Sequence, residues 1–309
     1  MAFVMSVRCL FRSAAAMLLG VILLACAYLY GVVSHRFELF PYHYAKKLIE
    51  TVAPDRLAQY GGYDPVFDRT RVPCDTISRN SLVLITFGQS NAANSGTGRF
   101  DAIPGVYNFN FLDGQCYAAR DPLLGAGGSG GSAWMPLAKL LIEHGLVTRV
   151  IIAPIAMGQT RVADWAPGGS MSGRIDRVAK GLADAGLRAH ALLWHQGESD
   201  RVTRPEVYSA TFLRMAAAVR NLGLTAPIYV ARATYCDDRT SGAINAAQAE
   251  LGAKQPGLRP GPDTDTLLAP ALRNGCHFTR QGLLEHAALW FDALATDIPG
   301  LMQGSTDKR

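Results

Sequence analysis

The stretch LVLITFGQSN, residues 82–91, decides how the rest of the chain is read. LVLITF is a short run of apolar and β-branched residues with no polar alternation, the pattern of a strand buried on both faces of a parallel sheet. Gly88 ends the run and allows a sharp bend. Ser90 then sits at the tip of the strand, between the side-chain amides of Gln89 and Asn91. A polar cluster in that position matters if other polar segments of the chain reach the same edge.

Downstream, the same alternation repeats. RVIIAPI (149–155), HALLWH (190–195), PIYVARA (227–233) and, more weakly, TLLAP (266–270) read as further strands. Helical patterns lie at 132–144, 172–185, 204–222, 241–253 and 279–295, with Ser132 and Thr279 suited to cap the first and last. Strand–helix alternation of this kind predicts a three-layer α/β/α domain around a central, mostly parallel five-stranded sheet. Ligands in such folds bind beyond the carboxyl ends of the strands. Those ends here are GQSN, APIAMGQTRVADW (153–165), WHQGESD (194–200), ARATYCDD (231–238) and LRNGCHFT (272–279). Ser90 and His277 therefore fall on one edge. A serine at a strand-to-helix turn with a histidine on a late loop is the arrangement of a serine hydrolase. The helix N-terminus after the turn favours developing negative charge. The G-x-S-x-G elbow of the α/β-hydrolases is missing.

The chain has 309 residues, 49% hydrophobic and 18% charged, which suits one large or two small globular domains. Its net charge of +5 comes without a dense Lys/Arg run, so nothing supports a nucleic-acid partner.

Residues 13–34 carry no charge and are long enough to cross a bilayer, and Arg8 and Arg12 precede them. An uncleaved signal anchor fits best, with residues 1–12 cytoplasmic and the remainder periplasmic or at the cell surface. Two alternatives exist: cleavage at the A-x-A-like ACA (25–27), and lipidation of Cys26 in LLAC (23–26). The apolar stretch beyond Cys26 argues against both. The resulting division is an anchor (1–34), a stalk and lead-in (35–80), the α/β domain (81–298) and a tail (299–309). Within the lead-in, FPYHYAKKLIETVAP (40–54) reads as a short amphipathic helix, and the turn-rich GGYDPVFDRTRVPC (61–74) as irregular. Four cysteines lie beyond the anchor: Cys74, Cys116, Cys236 and Cys276. In an oxidising compartment they suit two disulfides, with three connectivities open and free buried thiols as the alternative. Their spacing does not match a zinc site, so no metal or other cofactor is expected.

GQSN (88–91), WHQGESD (194–200) and CHFT (276–279) resemble the SGNH hydrolase superfamily, and within it the sialate O-acetylesterase and carbohydrate esterase family 6 branch. GGSAWMPLAKLL (130–141) and APIAMGQTRVADW sit where that branch has a Gly-rich turn and a G-x-T-x-x-x-W-like segment, so the resemblance covers roughly residues 80–295. It implies a serine esterase that removes acetyl or other short acyl groups from carbohydrate. Ser90 would be the nucleophile and His277 the general base. The Ser90 amide, Gly131 and the Gln196 side chain would form the oxyanion hole. Asn91 would brace the turn, and Glu198 and Asp200 would hold the HQGESD loop.

One position departs from the pattern. The family has D-x-x-H, and Asn274 stands where its Asp would be. An Asn oxygen can orient the His277 ring but adds no charge, so Asn274, a backbone carbonyl, Asp263 or Asp265 are the candidates to hold it. Arg161 and Trp165, after the second strand, would bind substrate, Arg161 a sugar carboxylate and Trp165 a sugar ring. Two other functions remain open: an O-acyltransferase acting on an exported polysaccharide, and a weakly catalytic carbohydrate-binding protein. The expected disulfides are Cys236–Cys276, tying the loop after the fourth strand to the His277 loop, and Cys74–Cys116, pinning the lead-in to the loop after the first strand.

Overall fold

The computed structural model describes residues 2–37, 40, 63 and 65–303. The chain divides into two units, Met1–Leu57 and Ala58–Arg309. In the first, α1 (Ala2–Phe37) contains an apolar span, Ala15–Ser34, with mean hydropathy 2.4. Its Leu, Val and Ile side chains are exposed, as they would be facing lipid. The amphipathic helix expected over 40–54 lies, beyond Phe40, outside the described residues.

The second unit is built on a sheet of eight strands, not five. These are β1 (Arg71–Val72), β2 (Ser81–Gly88), β3 (Val106–Asn110), β4 (Gln115–Ala118), β5 (Arg149–Pro154), β6 (Ala191–His195), β7 (Ile228–Arg232) and β8 (Leu258–Asp263). Their order is β1-β4-β3-β5-β2-β6-β7-β8. Pairing from β3 across to β8 is parallel, and β4 and β1 add antiparallel pairs at one edge. The lead-in thus ends in an edge strand rather than in irregular chain. It continues into a short helix, α2 (Cys74–Ser78), and Cys74 is bonded to Cys116 of β4.

The last strand lies at 258–263, not at 266–270, where residues 264–266 form a 3-10 turn instead. Its sequence, LRPGPD, resists recognition as a strand. Its place at the sheet edge is where prolines are tolerated. β3 was hidden by Asn108, a buried polar residue whose side chain is satisfied by the backbone of Leu124: Oδ1 accepts from its N–H at 2.6 Å and Nδ2 donates to its carbonyl at 3.2 Å.

Two helical layers cover the sheet. The longer helices are α3 (Trp134–Glu143), then, after the short α4 (Val162–Trp165), α5 (Ser172–Asp184), α6 (Pro205–Asn221), α7 (Gly242–Lys254) and α8 (Arg280–Leu294). A short α9 (Ile298–Gln303) follows. Alternation along β2 separates the two cores. Val83, Ile85 and Phe87 pack with residues of α5, α6 and α7, whereas Leu82 and Leu84 pack with residues of α3 and α8. Each such side chain contributes about 1.5–3 kcal/mol by leaving water. Thr279 caps α8, accepting from Gly282 N–H at 3.1 Å. Ser132 does not cap α3. The cap position is Ala133, and the Ser132 hydroxyl donates instead to Asp121 at 3.0 Å.

β2 is the first strand of the parallel set and lies inside it. The chain leaves β2 for β3 on one side, returns to β5 beside it, and then crosses to β6 on its other side. The carboxyl end of β2 is therefore the switch point of the sheet, where a crevice opens between diverging connections. Ser90 is at that point.

Candidate active site

The Ser90 turn is fixed from several directions. Gly88 has φ +119, and a Cβ there would lie 2.1 Å from the His195 carbonyl oxygen, so only glycine fits this turn beside β6. Residues 90–92 then form a 3-10 turn, leaving Ser90 8% exposed. The two amides flanking Ser90 act as staples. Gln89 Oε1 accepts from the backbone N–H of Gly197 at 3.3 Å and of Ser199 at 3.0 Å, holding the 196–199 loop. Asn91 Nδ2 donates to Glu198 Oε1 at 2.8 Å and to the Cys276 carbonyl at 2.9 Å. Asn91 therefore joins the nucleophile turn, the HQGESD loop and the loop bearing His277.

His277 lies on a hairpin of two very short strands, β9 (Arg273–Asn274) and β10 (His277–Phe278), and β10 packs against the Ser90 turn. The hairpin is bonded through Cys276 to Cys236, beyond β7. Arg273 anchors it from beneath. Its guanidinium donates to the carbonyls of Leu267, Thr264 and Cys276 at 2.8–3.0 Å and stacks 3.7 Å over the Phe278 ring. Among the described residues, neither the His277 ring nor the Ser90 hydroxyl has a hydrogen-bond partner in the protein. Burial holds the His277 pKa below the ordinary imidazole value, Arg273 lowers it further, and Asp237 opposes both. At neutral pH the ring is therefore neutral and able to accept a proton.

Below the turn lies a buried polar layer. Burial pushes Glu198 up to about 7, and His195 down to about 3, so His195 is a neutral ring bonded to Thr264 Oγ1 at 2.9 Å. Asp200 accepts from Gln196 Nε2 at 2.6 Å and from Val162 N–H at 2.8 Å, which keeps the HQGESD loop and α4 together.

Several expected roles do not survive this geometry. Gly131 cannot serve an oxyanion hole, because its N–H donates to the Gly96 carbonyl at 2.9 Å. Gln196 is fully buried, and its amide hydrogens go to Asp200, the Thr160 carbonyl and Gln89, away from any ligand. Trp165 is 1% exposed: its indole is set edge-on to Phe87 and Trp194 and donates to Thr160, so no face is left for a sugar. Asp263 pairs with Arg232 at 3.1 Å, and Asp265 accepts from the Thr234 and Tyr235 amides at 2.7 and 2.8 Å, so neither turns to His277. Asn274 stands directly opposite His277 in the hairpin, but it is exposed, and among the described residues its side chain makes no hydrogen bond to the ring. Arg161 remains exposed at the start of α4, with no ion pair among the described residues.

The residue that the sequence reading passed over is Gly158. A Cβ on Gly158 would lie 3.7 Å from Ser90 Cβ, so its backbone runs beside the serine. Its N–H, like that of Ser90, donates to no protein group among the described residues. The G-x-T pattern at 158–160 was the available signal. The side chains of Cys236, Asp237 and Cys276 come within 4.8 Å of one another, but the two sulfurs are bonded together and offer no thiolate to a metal.

A doubly wound sheet with a serine at its switch point and a histidine hairpin beside it has the architecture of the SGNH hydrolases. The profile of carbohydrate esterases described as sialic acid-specific acetylesterases matches residues 80–259, more than half of the chain. The chain belongs to this family and is a carboxylic ester hydrolase. Among solved structures, a protein from Arabidopsis thaliana superposes with a TM-score of 0.58 at 20% identity, covering 72% of this chain and 98% of its own. A carbohydrate acetylesterase from Xanthomonas citri gives 0.51 at 14% identity, covering 71% of this chain and 57% of its own. At these identities the likeness is one of fold. No curated protein sequence matches the chain significantly.

Proposed function

We propose that the protein removes acetyl groups from a carbohydrate through an acyl-enzyme on Ser90, with His277 as general base. One observation carries this reading. Asn91 staples the Ser90 turn to the His277 hairpin, and among the described residues neither the Ser90 hydroxyl nor the His277 ring has a hydrogen-bond partner in the protein. As Ser90 Oγ attacks the acetyl carbonyl carbon, its proton passes to the imidazole. The carbonyl oxygen becomes an oxyanion that accepts from the Ser90 and Gly158 amides, each such donor typically contributing on the order of 3 kcal/mol to the transition state. Collapse expels the sugar alkoxide, which takes the proton back from His277. Water then attacks the acetyl-serine with His277 again as base, acetate leaves, and Ser90 is reprotonated.

Arg161 supports an anionic sugar as substrate. It lies one residue beyond Thr160, in the segment that passes Ser90, and it is exposed with no ion pair among the described residues, so its guanidinium can meet a carboxylate from solvent. The family's description as sialic acid-specific agrees with that charge. The apolar helix over Ala15–Ser34 supports membrane attachment, and Arg8 and Arg12 before it support an orientation with the esterase domain outside the cytoplasm. The two disulfides support the same compartment.

Detergent-solubilised full chain should release acetate from O-acetylated sialic acid, and a fluorophosphonate should label Ser90. Acetate passing to an added glycan instead of water would make it a transferase. A label on another residue would remove Ser90 from its role.

A further inference from the structure

Asn274 leaves the base without the acid usually found three residues before it. The structure brings another acid to the same place from a different loop. After β7 the chain makes a tight hairpin turn. Cys236 and Arg239 exchange backbone hydrogen bonds at 2.9 and 3.2 Å, and the two residues between them, Asp237 and Asp238, have φ +49 and +58. Two consecutive left-handed residues define a type I′ turn, which prefers Asn and Gly, so Asp-Asp is a costly choice. A left-handed Asp is tolerated but not favoured, and such strained positions cluster at functional sites.

The second hairpin faces the first. Its loop is Gly275–Cys276 between the paired residues Asn274 and His277. The disulfide joins the first residue of one turn, Cys236, to the last loop residue of the other, Cys276. Asp237 and His277 each directly follow one of the two bonded cysteines. Gly275 has φ +60, and a Cβ there would lie 3.1 Å from Asp237 Oδ1, so its absence makes room for the carboxylate over the His277 hairpin. Asp237 forms no ion pair among the described residues, and the contact of its Oδ2 at 3.6 Å is with the disulfide sulfur of Cys236, which carries no hydrogen to donate. The carboxylate is thus uncommitted, and so is the imidazole.

We propose that Asp237 is the positioning acid of this site, supplying from the turn after β7 the negative charge that stabilises the His277 imidazolium during attack. This rests on the Ser90–His277 reading above. The charged groups facing the ring are Arg273, from β9, and Asp237; they act in opposite directions on its protonation. With Arg273 fixed by three carbonyls, removing Asp237 would leave a cation beside a base that must itself become cationic.

The test compares full-length wild type, Asp237→Asn and Asp237→Asn/Asn274→Asp. Asn adopts left-handed backbone as readily as Asp, so the turn is retained and the melting temperature checks this. Three measurements are needed: the His277 pKa by NMR, the pH profile of 4-nitrophenyl acetate hydrolysis, and the rate of Ser90 labelling by a fluorophosphonate. In Asp237→Asn the His277 pKa should fall. The acid limb of kcat/KM should move to lower pH with it, and kcat should drop roughly tenfold per unit of lost imidazolium stabilisation with KM unchanged. The second substitution places a carboxylate opposite His277 and should restore most of the loss. An unchanged His277 pKa, with kcat within twofold of wild type, would overturn the role of Asp237. A pKa that falls in a protein whose Ser90 is never labelled would overturn the Ser–His reading, and the positioning role with it.

Discussion

The Ser90 turn and the His277 hairpin are held in place by different physics. The turn ends the innermost strand of the parallel set. It has neighbouring strands on both sides, a glycine that admits no substitute, and two flanking amides bonded to the next loop. The hairpin has two strands of two residues each, outside the main sheet. It is kept in register by a disulfide, by Arg273 and by a bond from Asn91. The proposed nucleophile thus inherits its position from the core, whereas the proposed base is placed by crosslinks. Damage to the fold should reach both, but damage to the crosslinks should reach only the base.

The largest effect is expected at the serine itself. Ser90→Ala should reduce deacetylation by 10³-fold or more and leave the melting temperature within error, because the hydroxyl bonds no protein group among the described residues. A variant that keeps measurable turnover would break the comparison at its stronger end. Next come the crosslinks. Cys236→Ser/Cys276→Ser opens a link between residues 40 apart in sequence, a constraint of about 4 kcal/mol in the chain-entropy model. Activity should fall by about tenfold or more while far-ultraviolet circular dichroism stays native, since hairpin order and not the sheet is lost. Asn91→Ala strips a partner from both Glu198 and the Cys276 carbonyl, each worth about 1–3 kcal/mol when buried. It should lower both kcat and the melting temperature, the latter by less than the disulfide variant does.

Smaller effects follow. Arg161→Ala should raise KM about tenfold for an acetylated sugar acid and leave a neutral acetyl ester unaffected; equal losses on both would remove the carboxylate contact. The acid limb of wild-type kcat/KM should lie below the ordinary imidazole pKa, because burial and Arg273 lower that of His277. The base works only when neutral, so activity is retained down to that lowered pKa and lost beneath it. Asn274→Ala, finally, should change activity less than twofold, since its side chain is exposed and unbonded. A large loss would return to Asn274 the role of holding the ring.

The same contrast explains what the sequence reveals. Elements held by apolar burial were legible: β2, β5, β6 and β7 and the five long helices of the second unit carry their patterns openly. β3 and β8 were not, because a backbone-bonded Asn108 and an edge run of Pro and Gly replace the usual strand composition. At the site, the sequence singled out Ser90 and His277, the proposed nucleophile and base, from chemistry-bearing residue types at strand ends. Whether a backbone N–H is free could not be read: only the fold shows that the Gly131 amide is already spent in a bridge, while that of Gly158, the proposed donor, bonds no protein group among the described residues. Trp165 was misjudged for a related reason: an aromatic residue near a strand end has the same signature whether it faces the crevice or, as here, the core between Phe87 and Trp194.

The bond between Cys236 and Cys276 also has a consequence in time. Thiols stay reduced in the cytoplasm and pair only after export. A newly made chain can complete the sheet and its serine turn while the histidine hairpin still lacks its bolt. Under the proposed mechanism such a chain is a latent esterase, inert toward acetyl esters met during synthesis. Under the proposed export, oxidation then serves as the arming step, so that catalytic competence follows formation of this one bond.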